Sequence, residues 1–473
     1  MDKPRLFLAN IGHRGSYRLV SPPLGLLYLA GYVRSRLDVE ILIADQRADD
    51  CSHEELIRRA ADFRADIIGI TCFTSHAHLL DGIVRSFQAA VPGALVVLGG
   101  PHVSAAGALT LDESPADIAV VGEGEVALEA IVRARQEGTG YADIPGLIWR
   151  APDGQVVTNP GDTPIVENLD DLPFPAYDLI DVRKYWNLWS QSPLPPPRKF
   201  LAMFTSRGCP YSCIYCHKVF GKRFRGHSAQ RIIDELEYYA KTFGIDEVEF
   251  FDDIFNYSRK RVIEFSDLIR RKGLKIKIAF PNSLRCDLLT EEVVDALRDA
   301  GTYISAFALE SGSPRIQDYI GKRLNVEKYL QSVEWAVKRR IFTYGFLMFG
   351  FPTETEAEVR QTIDAACRSR LHAALFYRVV PYPQTELWRI MERDHPEKLA
   401  QVQFADTDYT YRPTINCSDI PNEVLAREVR RGVMRFYGNP ARLFRIARDY
   451  PKRAHLPLYL PRVLFHLKPG KTE

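Results

Sequence analysis

No run of apolar residues in this 473-residue sequence reaches the roughly twenty that a helix needs to cross a bilayer. Charge of one sign is also lacking. Lys and Arg number 62 against 60 Asp and Glu, and a net charge of +2 gives the chain as a whole no field with which to attract nucleic acid. The opening Met1-Asp2-Lys3-Pro4-Arg5 has no signal-peptide pattern and leads into a strand-like run, so a cytoplasmic location is expected. No internal repeat or low-complexity tract occurs. Cysteine is scarce, at 8 residues, and too unevenly spread for a disulfide framework. Three of the cysteines crowd into the window from Cys209 to Cys216, which in an intracellular chain points to metal. The remainder is ordinary globular composition, 46% hydrophobic and 26% charged, in a chain too long for a single core.

From Arg5 to about Val132 short apolar runs alternate with helical patterns. Strands are expected at Leu6–Ile11, Val39–Ala44, Ile67–Cys72, Leu95–Leu98 and Ile118–Val121, with helices such as Gly25–Arg36, His53–Phe63 and Leu79–Ala90 between them. This alternation predicts an α/β fold with a doubly wound parallel sheet over residues 1–143. Four strand ends carry small or Gly-rich turns: Ser21-Pro22-Pro23-Leu24-Gly25, Thr71-Cys72-Phe73-Thr74-Ser75, Gly99-Gly100-Pro101-His102 and Gly122-Glu123-Gly124-Glu125. In such sheets ligands bind outside the carboxyl ends of the strands, so these turns are a candidate floor for a large ligand. Gly and Pro serving only as turn formers is the simpler alternative. Residues 144–197 read as a linker, with a small hairpin turning at Asp153-Gly154 and proline-stiffened chain at Pro193-Leu194-Pro195-Pro196-Pro197.

Alternation resumes over 198–385. Strands are expected at Phe200–Thr205, Glu247–Phe251, Lys275–Phe280, Tyr303–Ala308, Thr343–Phe349 and Ala373–Val380. Six such units predict a partial (β/α)6 barrel with its chemistry at the strand C-terminal ends. Residues 386–473 are expected to be mainly helical and basic; beyond Pro421 stand 12 Lys and Arg against 4 Asp and Glu.

The segment Thr205-Ser206-Arg207-Gly208-Cys209-Pro210-Tyr211-Ser212-Cys213-Ile214-Tyr215-Cys216-His217 follows the first barrel strand. Three thiolates spaced C-x3-C-x2-C can hold three irons of a [4Fe–4S] cube and leave the fourth iron open to an external ligand. A structural zinc would want a fourth Cys or His at suitable spacing. His217, adjacent to Cys216, is poorly placed for that, and the zinc reading stays open at this point.

The loop, with Tyr215 before its last cysteine, resembles the hallmark of radical SAM enzymes. That resemblance implies an open iron that binds S-adenosylmethionine (SAM) and a one-electron cleavage giving a 5′-deoxyadenosyl radical. Three further stretches match in order. Phe250-Phe251-Asp252-Asp253 ends the second strand, where the family holds the methionine amino group. Ala308-Leu309-Glu310-Ser311-Gly312-Ser313 resembles its ribose-binding segment. Gly345-Phe346-Leu347-Met348-Phe349-Gly350-Phe351-Pro352-Thr353-Glu354 resembles the fifth-strand motif beside the adenosyl group. The resemblance thus implies SAM contacts from Tyr215, Asp252, Asp253, Glu310, Ser311 and Gly350. Arg285, after the third strand, is a candidate partner for the SAM carboxylate.

The N-terminal turns are similar to those of the Rossmann-like cobalamin-binding domain that precedes the barrel in cobalamin-dependent radical SAM enzymes. This implies cobalamin contacts from Leu24, Gly25, Thr74, Ser75, Gly99, Gly100, Pro101, His102, Gly122, Glu123 and Gly124. The D-x-H-x-x-G cobalt-ligating motif is absent, since His13, His53, His76, His78 and His102 all lack its Asp and Gly. No residue is therefore assigned to cobalt, and none is singled out as catalytic.

The function implied is methylation of an unactivated carbon or phosphorus centre of a small-molecule or peptide substrate, with an electron donor such as flavodoxin or ferredoxin. The alternative is a non-methylating, cobalamin-binding radical SAM cyclase or ring-rearranging enzyme. A methylthiotransferase would need more N-terminal cysteines than Cys51 and Cys72. A ligand-sensing module would not need an open iron. Cys286, Tyr377 and Arg378 lie near barrel strand ends and have no assigned role. The tail, with Val433, Met434, Phe436, Leu443, Phe444 and Ile446 among Arg435, Arg442, Arg445 and Arg448, reads as an amphipathic cap on the barrel. Peripheral contact with anionic lipid is the alternative. The apolar run Leu456–Phe465 is proline-broken and too short to span a bilayer.

Overall fold

Short apolar runs that are buried on both faces are what parallel strands between two helical layers require, and the chain supplies them twice. The computed structural model describes residues 3–12, 19–217, 219–405, 415–452, 454, 456 and 457. These residues divide into two compact units. The first runs to Leu188 and takes in His217–Gly226; the second holds Trp189–Cys216 and continues from His227 through the C-terminal helices.

The first unit is built from β1 (Arg5–Asn10), α1 (Leu24–Arg34), β2 (Glu40–Asp45), α2 (His53–Phe63), β3 (Ile67–Thr71), α3 (Leu80–Ala90), β4 (Leu95–Gly99), α4 (Pro101–Ala106), β5 (Ile118–Ala119) and α5 (Glu125–Glu137). The strands pair in parallel in the order β2-β1-β3-β4-β5. A hairpin, β6 (Ile148–Arg150) and β7 (Val156–Thr158), extends the sheet antiparallel from β5. The strand order reverses between β1 and β3, the switch point at which open sheets present a crevice. Phe7, Ile68, Val96 and Leu98 share a core with Leu56, Val84 and Phe87 of the covering helices. Helix α2 begins where the Ser52 hydroxyl accepts the Glu55 N–H at 3.2 Å, and ends at left-handed Arg64.

The second unit carries β8 (Phe200–Met203), α6 (Ala229–Phe243), β9 (Glu247–Phe250), α7 (Arg259–Lys272), β10 (Lys277–Leu284), α8 (Glu291–Asp299), β11 (Thr302–Glu310), α9 (Pro314–Tyr319), α10 (Val326–Lys338), β12 (Phe342–Phe349), α11 (Glu356–Arg368) and β13 (Ala373–Arg378). All six strands are parallel and pair in chain order, leaving β8 and β13 as the two edges of an open arc. Helices α6, α7, α8 and α11 start on the side-chain caps Ser228, Ser258, Thr290 and Thr355, and α6 and α7 stop at Gly244 and Gly273.

Two local expectations need correction. Strand β10 does not stop at Phe280 but runs to Leu284. A register shift between Phe280 and Leu284, with Ser283 at φ 88°, absorbs the Pro281-Asn282 pair that reads as a stop. Pro101 and His102 are not turn residues; Pro101 takes the first position of α4, where its missing N–H costs nothing.

Helices α12 (Glu386–Asp394), α13 (Asn422–Tyr437) and α14 (Pro440–Asp449) complete the unit. Phe436 and Ile446 are buried, and the arginines between them are engaged by protein. Arg435 pairs with Asp364 and Arg448 with Asp449, while Arg442 and Arg445 donate to backbone carbonyls in the last turn of α11 and just beyond it. Met434, Leu443 and Phe444, by contrast, are exposed. Most of the apolar run Leu456–Phe465 lies outside the described residues, as does His13. Among the described residues no helix is long and apolar enough to cross a membrane.

Candidate functional site

In the second unit the site is built on the loop that follows β8. The loop enters through Thr205 and Ser206, both fixed to the Asp252 carboxylate at the end of β9. Farther along, Ile214 N–H donates to Ile320 O at 3.0 Å and Leu387 N–H to Ile214 O at 2.8 Å. Gly321, at φ 68°, lets the chain pass here; a Cβ would stand 2.8 Å from Ser212 O. The loop is thus held at both ends and presents Cys209 and Cys213 half-buried and Cys216 exposed, all three unpaired. A hydrogen bond between Cys213 and Cys216 lowers the Cys213 thiol and raises that of Cys216.

Around the loop stand the residues implied by the resemblance. Tyr215 lies 5.9 Å from the Phe351 ring, and its hydroxyl donates weakly, at 3.4 Å, to Glu310. Asp253, immediately after Asp252, is exposed beside the loop. Glu310 sits at φ 63°, a sparsely populated conformation for a non-glycine residue that ends β11. Its Oε1 accepts from Lys322 Nζ at 3.1 Å, and its buried Oε2 has no partner. Lys322 was not legible as a site residue, because it follows a short helix and belongs to no motif in the sequence. Ser311 is fully buried, its hydroxyl 3.3 Å from that of Thr362 and accepting the Ser313 N–H. Gly350 N–H donates to Glu354 Oε2 at 2.7 Å, and burial pushes Glu354 up to about 7. Glu354 Oε1 and Arg378 Nη1 are buried without hydrogen-bond partners, and burial draws Arg378 down to about 10. Arg285 lies 3.3 Å over the Tyr211 ring, pairs with Asp287 at 2.8 Å and donates to Lys322 O at 2.9 Å. Cys286 is buried away from the opening and pushed up to about 12.

Three cysteines on one loop, each able to take a separate iron, suit an iron–sulfur cube with one open corner. The corners of an iron–sulfur cube are separate, and each thiolate takes its own iron.

In the first unit the predicted turns lie at the carboxyl ends of the parallel strands. Gly25 and Gly99 face open space, with no atom within 4 Å of where a Cβ would stand. Gly100, at φ 93°, is pressed on Thr71, where a Cβ would come within 2.3 Å of the hydroxyl. Thr74 and Ser75 begin a 3-10 turn and Leu24 begins α1, while Gly124 caps α5. The strand ends therefore offer backbone and small residues, a surface suited to close approach by a flat macrocycle. Two predicted contacts are occupied by protein. His102 is buried with Nε2 3.0 Å from Glu113, and Glu123, beside Gly122, forms a buried ion pair with Arg225. At the ends of β1 and β2, Asn10 donates to Asp45 at 2.9 Å and Tyr185 donates to Asp45 at 2.7 Å.

The parallel open sheet with its glycine-lined crevice and the six-strand arc with its cysteine loop together define a two-cofactor α/β enzyme. Residues 13–132 match the B12 binding domain model, and residues 203–366 match the radical SAM superfamily model. An uncharacterised methyltransferase of Pyrococcus horikoshii is 35% identical over 422 residues, covering 89% of this chain and 88% of its own. The anaerobic magnesium-protoporphyrin IX monomethyl ester cyclase of Rubrivivax gelatinosus is 24% identical, covering 95% and 80%. Among solved structures, the radical SAM methyltransferase TsrM of Kitasatospora setae superposes with a TM-score of 0.69 at 20% identity, covering 83% of this chain and 76% of its own. The chain belongs to the B12-binding radical SAM enzymes. Its cofactors are accordingly a [4Fe–4S] cluster, SAM and cobalamin.

Proposed function

We propose that the enzyme methylates an unactivated carbon or phosphorus centre of a small-molecule or peptide substrate, with electrons from a donor such as flavodoxin or ferredoxin. The observation that carries this reading is the cysteine loop, held at the carboxyl ends of a parallel strand arc in a chain that also has a B12-binding domain. Cys209, Cys213 and Cys216 hold the cluster, and Asp253, Glu310, Ser311, Tyr215 and Gly350 border the SAM site. Leu24, Gly25, Thr74, Ser75, Gly99, Gly100, Pro101 and the Gly122–Gly124 turn border cobalamin. When bound, the cluster and SAM supply a hydrogen-abstracting radical and cobalamin carries the methyl group. The residues orient these groups and limit access of water. Support for methylation comes from relatives of that name. Similarity to the cyclase of Rubrivivax gelatinosus supports a second reading, in which the radical chemistry closes a ring without methylation.

Anaerobic turnover with candidate substrates separates the two. Methylation produces S-adenosylhomocysteine and 5′-deoxyadenosine together in about equal amounts, since one SAM donates the methyl and another the radical. Formation of 5′-deoxyadenosine alone with a cyclised product would replace methyl transfer by the second reading.

A further inference from the structure

Resting on the reading of Cys209, Cys213 and Cys216 as the cluster ligands, we propose that Asp252 is a positioning residue for the cysteine loop and does not itself contact SAM. A carboxylate has about four lone-pair sites. In Asp252 four donors from the loop converge on them. Oδ1 accepts from Thr205 N–H at 2.7 Å, from Ser206 N–H, and from the Ser206 hydroxyl at 2.9 Å; Oδ2 accepts from the Thr205 hydroxyl at 2.9 Å. The side chain is only 2% exposed. With four loop donors converging on it and almost no exposed surface, the carboxylate offers no face to an ammonium group from outside.

The other side of the same loop entry is held by Arg261, on α7. Its guanidinium donates to Thr205 O at 2.6 Å, to His227 O at 2.9 Å and to Phe255 O at 3.1 Å, and it lies 5.1 Å over the Phe255 ring. Thr205 and Ser206 therefore sit between a buried anion and a buried cation, three residues before Cys209. Charge-assisted bonds of this kind are short and directional, and several onto two adjacent residues fix both the backbone path and its exit direction. The next residue, Asp253, is exposed and accepts the Gly208 N–H of the loop. The Asp-Asp pair thus divides its work: Asp252 holds the loop, and Asp253 faces the opening.

The test uses the anaerobically reconstituted full chain with three readouts: iron release to a chelator, the EPR signal of the reduced cluster, and the Kd for SAM. Asp252→Asn is expected to speed iron release about tenfold and to shift the EPR signal, with the SAM Kd within about threefold of wild type. Ser206→Ala, which removes a loop-side donor and leaves the carboxylate intact, is expected to act in the same direction. Its effect and that of Asp252→Asn should combine non-additively. Unchanged iron release with a tenfold or greater loss of SAM affinity in Asp252→Asn would overturn the proposal and make Asp252 a ligand. If Asp252→Asn takes up no cluster, Ser206→Ala decides: faster iron release supports the brace, and a wild-type rate overturns it. A wild-type chain that takes up no cluster would instead defeat the underlying reading of the cysteines.

Discussion

His372 Nε2 lies 3.2 Å from Asp449 Oδ2 with both side chains fully buried, joining the start of β13 to the end of α14. Thr343 N–H donates to His372 Nδ1 at 2.9 Å, so the ring accepts at Nδ1 and donates from Nε2 as a neutral imidazole. Phe342 stacks on it at 4.6 Å. The pair sits at the amino ends of β12 and β13, away from the cysteine loop, and its role is to fasten the C-terminal helices to the arc.

That neutrality predicts an acid-sensitive fold. Burial depresses His372 to about 4, against about 6.5 in an unfolded chain, so the unfolded chain binds the extra proton first. Stability is fully present above pH ~6.5 and falls as the pH drops towards 4, by roughly 3 kcal/mol from this group. Asp449 is held at about 2 against its burial by hydrogen bonds from Arg448 and His372. Its contribution is lost lower, as the pH falls below ~4. Denaturant midpoints of the apo chain between pH 7.5 and 4.5 should fall steeply for wild type and less steeply for His372→Asn. Parallel slopes for the two would show that His372 is not the group responsible.

Arg442 leads to a second expectation. It is 1% exposed, lies 3.4 Å over the Phe436 ring, and donates to Cys367 O at 3.0 Å and Ser369 O at 3.1 Å at the end of α11. Arg442→Met keeps much of the packing but leaves those carbonyls unsatisfied, and should cost roughly 3 kcal/mol by chemical denaturation. Because Arg442 and Arg445 donate to backbone carbonyls and Arg435 and Arg448 are paired with Asp364 and Asp449, wild-type protein should not float with anionic vesicles at low salt, although Phe444 is 69% exposed. Salt-sensitive flotation would restore the lipid-contact alternative.

Strands and helices were legible where local signals and burial agree, as over His53–Phe63, whose helix starts on the Ser52 side chain. The cysteine loop was legible because its chemistry is written in consecutive residues. What was not legible is which of two adjacent polar residues turns towards the opening. Asp252 and Asp253 look alike in sequence, and only the pleat and the loop entry separate them. Glu123 is similar: its motif suggests a ligand contact, yet its carboxylate is taken by Arg225, 102 residues away. Lys322 reaches Glu310 from beyond α9, a juxtaposition that no local pattern encodes.

Six of the eight cysteines should separate cleanly by reactivity. Cys286 and Cys417 are buried, and burial pushes both thiols up to about 12; Cys72 is also fully buried and raised. A thiol must be both accessible and ionised to be alkylated, so these three should stay unmodified in the native apo chain at pH 7.5. Cys209, Cys213 and Cys216 stand on the strand-end loop, half-buried or exposed, and should be labelled by iodoacetamide, Cys213 first because its thiol is lowered, as read by peptide mass spectrometry. Anaerobic reconstitution should then protect those three and no others, because each thiolate is committed to an iron. Cys213→Ala should abolish that protection at Cys209 and Cys216 together, along with the cluster absorbance, since two thiolates do not retain a cube with an open iron. Protection of Cys209 and Cys216 in that variant, with near-complete iron, would mean that a different residue supplies the third ligand.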